Sequence, residues 1–148
     1  METKKLDKIR IAGIAVKTIN APQKAEQAIP ALWRRFMAEN PGNQLATKLS
    51  EDIYCVYCEY EGDHTEPYTC LIGYAVPTES PLPTWMKAID ILPSNYSVFK
   101  AAGDLTSGVV FTTWNKIWKS TIDRTYTADF EVYAKEAMNP KDGKIDIF

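Results

Sequence analysis

The 148 residues are 45% hydrophobic and carry 17 Lys and Arg against 19 Asp and Glu, a formal net charge of −2. That is chain enough for one core of ordinary size and too little for a second large domain, so residues 1–148 are read as a single unit. Basic residues pair only at Lys4-Lys5 and Arg34-Arg35, which argues against direct nucleic-acid binding, and no run approaches the roughly 18 apolar residues of a spanning helix. The charged start lacks the apolar segment of a secretory leader, so no membrane association and a cytoplasmic location are expected.

In chain order, Lys8 to Asn20 reads as a strand, with β-branched Ile9, Ile11, Ile14, Val16 and Ile19 ahead of an Asn-Ala-Pro turn. From Pro22 to Glu39, Ala25, Ile29, Leu32, Trp33 and Phe36 recur at helical spacing. Pro30 inside that helix implies a kink or a later start, and Asn40-Pro41-Gly42-Asn43 ends it. Asp52–Glu61 and Tyr68–Pro77 have strand composition, and the polar link between them makes an antiparallel hairpin. After Pro81-Leu82-Pro83, the segments Trp85–Leu92 and Tyr96–Ala102 read as one interrupted strand region. Leu105–Ser120 follows as a helix, Tyr126–Ala134 as a strand and Lys144–Phe148 as a last strand.

Strand, helix, strand, strand is thereby written twice, over about residues 8–77 and 85–148. The fold class expected is α+β: a duplicated module forming one antiparallel sheet, two helices on one face, and a ligand groove between the halves. Matching the halves sets Trp33 on Trp114, Ile53 on Phe130, Tyr54 on Glu131 and Val56 on Tyr133.

The chemistry gathers near the end of the second half. In Asp129-Phe130-Glu131-Val132-Tyr133, alternation sends Phe130 and Val132 to one side of the strand and Glu131 and Tyr133 to the other. Trp114 and Trp118, four apart on a helix, share a face. A carboxylate beside aromatic rings suits a flat cation, because ring faces attract positive charge and a desolvated carboxylate needs a positive partner. With Phe130 and Val132 packed under the helices, Glu131 and Tyr133 would line an open groove. The repeat adds Tyr54 as the counterpart of Glu131, and Tyr74, of one parity with Tyr68, extends an aromatic wall. Tyr57 falls on the side of its strand opposite Tyr54 and Tyr60, and Trp33, flanked by Leu32 and Phe36, reads as core. The plain alternative for each is a solvated Glu, packed tryptophans and strand tyrosines.

Cys55, Cys58 and Cys70 cannot all pair within the chain, which suits a reducing compartment. With His64 as the single histidine, a four-ligand zinc site is poorly supplied, and buried strand thiols are the simpler reading. No phosphate-cradling glycine loop or nucleophile elbow is present, so neither metal nor cofactor is expected.

The run from Ile91-Leu92-Pro93-Ser94-Asn95-Tyr96 to Ala102-Gly103, the tryptophan of the next helix and the Phe-Glu-x-Tyr strand after it together resemble the GyrI-like, or AraC-type effector-binding, domain family. With Gly73 and the first-half strand, the resemblance spans nearly the whole chain. It implies a duplicated strand-helix-strand-strand fold whose central groove binds small, often cationic and aromatic, molecules of the multidrug kind. It puts the family's acidic residue on Glu131 and its strand tyrosine on Tyr133. Many members carry a DNA-binding segment ahead of the first strand. Here that strand begins near residue 8, so the chain resembles the stand-alone branch, with any role in transcription exercised through a partner protein in trans.

Three functions therefore stand side by side. The first is binding of an organic cation by Glu131, Tyr133, Trp114, Trp118, Tyr54 and Tyr74. The second is hydrolysis of reactive genotoxic molecules, with Glu131 and Tyr133 as catalytic pair. The third is a protein-interaction role of the gyrase-inhibitor type, in which Glu59, Glu61, Asp63 and Glu66 present an acidic edge.

Overall fold

A computed structural model of the chain describes residues 2–19, 24–39, 41, 45, 47–62, 65–79, 81–103, 109–119, 128–134 and 143–148. The strands are β1 (Glu2–Leu6), β2 (Ile9–Thr18), β3 (Ile53–Cys58), β4 (Tyr68–Val76), β5 (Lys87–Ile91), β6 (Ser94–Gly103), β7 (Ala128–Tyr133) and β8 (Gly143–Ile147). The helices are α1 (Ala25–Glu39) and α2 (Val109–Trp118). The expected helix starts at Pro22 and 105–108, residues 40, 42 and 43 of the expected stop, and Tyr126-Thr127 lie outside the described residues. α1 runs through Pro30; of the two expectations for that proline, a start after it is ruled out.

The eight strands among the described residues form one antiparallel sheet in the order β1-β6-β8-β7-β3-β4-β2-β5. The α+β class and the single sheet with two helices on one face agree with the sequence reading. Two differences have clear causes. The segment before residue 8 is itself a strand, β1, paired along β6 from Glu2 opposite Val98 to Leu6 opposite Ser94. Its charged sequence has no apolar alternation, and it is strand because the edge of β6 supplies unpaired amides and carbonyls. The interrupted region around Pro93 is two strands that do not pair with each other: β5 lies on β2, while β6 lies between β1 and β8.

The sheet is curled, a half-barrel, and both faces are buried. On one face Leu32 and Phe36 of α1 and Trp114 and Ile117 of α2 pack with Ile14, Cys55, Ile72, Tyr133 and Ile145. On the other, Ile11, Val56, Leu71, Ile91, Tyr96 and Phe130 close on one another, with no helical side chain among the described residues. That second face was expected to be free; it is buried instead, with Phe130 stacked on Phe148 at 4.7 Å and Tyr96 5.4 Å from Phe130.

α1 packs chiefly on β2 and β4, and α2 on β6. The two helices thus cover the outer strands of their own halves. The seam where β3 meets β7 runs between them, at the centre of the sheet.

Candidate functional site

The seam is set by register. Ile53 pairs with Tyr133, Cys55 with Glu131 and Tyr57 with Asp129, and cross-strand partners share a face. Ile53, Cys55, Tyr57 and Tyr133 lie with the helix-side cluster, Val56, Cys58, Phe130 and Val132 with the other. Glu131 and Tyr133 therefore point to the helices, and Phe130 and Val132 away from them. This reverses the side on which the sequence reading put Phe130 and Val132. The match of Ile53 to Phe130 and Tyr54 to Glu131 joins residues of opposite faces: it is displaced by an odd number of positions, and a one-residue slip inverts every side chain.

Glu131 is 1% exposed. Its Oε2 accepts hydrogen bonds from the Tyr57 hydroxyl (2.7 Å) and from Trp114 Nε1 (2.6 Å), and its Oε1 accepts from the Tyr133 hydroxyl (2.5 Å). These are lengths typical of charge-assisted bonds to a carboxylate. Among the described residues, no ion pair to Glu131 is found. Burial pushes its carboxyl above the ordinary range, and the bonds from Tyr133, Tyr57 and Trp114 pull downward without cancelling that rise. Burial, then the negative groups nearby, also raises the hydroxyls of Tyr57 and Tyr133, which stay protonated and able to donate.

Aromatic rings enclose this carboxylate. Tyr57 stands edge-on to Trp114 at 5.3 Å and to Tyr68 at 5.9 Å, and Trp33 of α1 stands edge-on to Tyr133 at 4.9 Å. Each helix brings its tryptophan through an amphipathic stripe, Ile29, Leu32, Trp33 and Phe36 on α1 and Val110, Thr113, Trp114 and Ile117 on α2. Below, Cys55 Sγ lies 3.6 Å from Cys70 Sγ. The hydrogen bond with Cys70, followed by burial, holds the Cys55 thiol well above its usual range, and burial pushes Cys58 up to about 12. All three are buried free thiols, unreactive in this setting. Among the described residues no group of three His, Cys, Asp and Glu side chains is placed for a metal; His64 lies outside them.

Of the six residues singled out from sequence, Glu131, Tyr133 and Trp114 meet. Trp118 lies on α2, but its side chain is outside the described residues. Tyr74 is on the helix-side face near α1, with Phe36 at 5.6 Å and the Lys48 ammonium 4.8 Å from its ring, so one aromatic face already has a cation. Tyr54 is on the opposite face, 5.9 Å from Phe130. Tyr57 and Trp33 take the places sequence reasoning left to others. Parity alone pairs Tyr57 with the Glu131 side once β3 and β7 are known to meet at Cys55 and Glu131. Of the acidic hairpin residues, Glu59 is engaged by Lys87 at 3.1 Å and Glu61 by Lys17 at 2.8 Å; Asp63 lies outside the described residues.

The fold is that of a GyrI-like effector-binding domain. The chain belongs to the Cass2 family of integron-associated effector binding proteins, a GyrI-like family, whose model matches residues 2–148. It is 32% identical over 149 residues to the Bacillus subtilis (strain 168) "Putative transcriptional regulator protein YobU", covering 97% of this chain and 92% of that one. Among solved structures, an integron cassette protein from Vibrio cholerae superposes with a TM-score of 0.70 at 24% identity, over 99% of this chain and 93% of that one. The protein SAV2435, solved with tetraphenylphosphonium bound, superposes with a TM-score of 0.78 at 19% identity, over 99% and 90%. At such identities these two structures establish the shared fold. No helix among the described residues is long and apolar enough to cross a membrane.

Proposed function

We propose that the protein binds small aromatic or amphipathic organic cations at the β3–β7 seam, Glu131 supplying the counter-charge and Tyr57, Tyr133, Trp114 and Trp33 the ring faces. One observation carries this reading: a carboxylate 1% exposed is held by three neutral donors, with no ion pair among the described residues. An ionised group so placed lacks what would offset its desolvation, and a cationic guest provides it. Ring faces add about 0.5–2 kcal/mol each. Rings that now pack edge to edge would have to swing apart to admit the guest, so part of the binding energy goes into opening. The tetraphenylphosphonium complex of SAV2435 and the effector-binding description of the family support the same ligand class. The regulator name of the Bacillus relative fits a chain that reports its ligand to a partner protein.

Titration of tryptophan fluorescence with tetraphenylphosphonium tests it. Glu131→Gln is expected to weaken binding by about thirtyfold or more, the cost of removing one member of a buried charge pair. Equal affinity in wild type and variant would sink the counter-charge role.

A further inference from the structure

Three donors converge on one carboxylate. Glu131 Oε2 takes the Tyr57 hydroxyl and Trp114 Nε1, and Oε1 takes the Tyr133 hydroxyl. A carboxylate offers about four acceptor positions, so one is left, on Oε1. The two tyrosines stand on the sheet with Glu131 itself, Tyr133 two residues along β7 and Tyr57 on the paired strand β3. Strand register therefore holds two of the three bonds in place. Trp33, edge-on to Tyr133 at 4.9 Å, is not among the donors, so it can yield to a guest without costing the carboxylate a bond.

A charge that needs hydrogen bonds is poorly served here. A primary ammonium carries three N–H donors and a guanidinium five, and Glu131 can accept from one. A cation over a ring face does not reach the lone pairs of that ring's hydroxyl, which lie near the ring plane. Asp129, the other carboxylate on this side of β7, already takes the Tyr60 hydroxyl at 2.6 Å. Strict alternation would have put Tyr60 with Tyr54 and Cys58 on the far face; Glu59, with φ of 52°, breaks it. Surplus N–H groups would be buried without partners, each at a cost in affinity. A quaternary ammonium or phosphonium ion has no N–H to satisfy and needs only the charge of Glu131 and the ring faces.

We propose that the site selects among organic cations by hydrogen-bond capacity. It favours onium ions without N–H over primary ammonium and guanidinium ions of equal size, and the Tyr57 and Tyr133 hydroxyls are the groups that set this preference. The proposal rests on the cation-binding reading above and concerns that same site.

The test uses the full chain and two isomeric monocations of identical atomic composition, each with one phenyl ring: benzyltrimethylammonium, without N–H, and phenylbutylammonium, with three N–H donors. Wild type is expected to bind the first about tenfold or more tightly, the scale of one or two unmet N–H groups. Tyr133→Phe returns an acceptor position to Oε1 and Tyr57→Phe returns one to Oε2. In either variant the ratio of the two affinities should narrow by about threefold or more, whatever happens to each affinity alone. A packing role for these residues would move both affinities together and leave the ratio as it was. Equal affinity for the isomers in wild type, or a ratio unchanged in both variants, overturns the proposal. In either case tetraphenylphosphonium binding that still depends on Glu131 leaves the first reading standing. Failure of wild type to bind tetraphenylphosphonium or either isomer overturns both. The wild-type comparison needs no variant, so it decides even where Tyr133→Phe and Tyr57→Phe fail to fold.

Discussion

Trp114 Nε1 is only a donor, so the Glu131 oxygen that receives it must stay an acceptor. Protonation of Glu131 therefore falls on Oε1, where the Tyr133 hydroxyl can turn from donor to acceptor. The neutral acid is accommodated without breaking the cage, whereas the ion is penalised by burial. Because the folded-state pKa is raised, the linkage runs one way. The stabilisation is complete below the unfolded-state value and is lost as pH rises through the raised folded-state value, since the unfolded chain gives up its proton first. Thermal melts of the ligand-free protein should show this decline, and Glu131→Gln should flatten it. The amide offers an oxygen to Trp114 and Tyr57 and an N–H to Tyr133, so the variant is expected to be more stable than wild type at the upper end by on the order of 1 kcal/mol. A variant that retains the full pH dependence would mean that another group titrates. Cation affinity should move oppositely, strengthening as pH rises through the same range and Glu131 ionises.

Among the elements, β2 and β4 set Gly13 and Gly73 opposite each other in register. A Cβ on Gly13 would lie 1.9 Å from the Ile72 carbonyl oxygen, and one on Gly73 would lie 2.1 Å from that of Ala12. Neither neighbour is a flexible side chain, so the strands would have to part. Gly13→Ala is expected to cost about 3 kcal/mol, measured as a fall in denaturant midpoint at unchanged slope; a loss under about 1 kcal/mol would show that the pairing is looser than described. At this scale the sequence was readable wherever periodicity differed between faces. Both helices, the β3–β4 hairpin and the shared side of Glu131 and Tyr133 follow from spacing alone. Parity between strands was not readable, because β3 is buried on both faces and its tyrosines 54 and 57 look alike in any pattern. Tyr60 was hidden for a different reason: one positive φ at Glu59 reverses every later side chain and leaves no mark in composition.

In the whole molecule, the strand order read inward from one edge is β5-β2-β4-β3 and from the other β1-β6-β8-β7. The edge strand β5 belongs by sequence to the second half but lies on the first, and β1 does the converse. Removing residues 2–6 would therefore strip a partner from the far half, exposing the β6 edge. The shortened chain is expected to melt lower and to self-associate, read by sedimentation of the two forms at matched concentration; a monomer of unchanged melting temperature would show β1 to be dispensable. The exchange also bears on the order in which the chain is made. β1 leaves the ribosome ahead of the other described strands, yet its partner β6 follows only after about ninety residues, so it waits longest among them for its place. β2 likewise must wait for β5 on its outer side, although it can close early with β4. Half a nascent chain is thus an unfinished sheet with one strand unplaced, and both edges close only when the second half arrives.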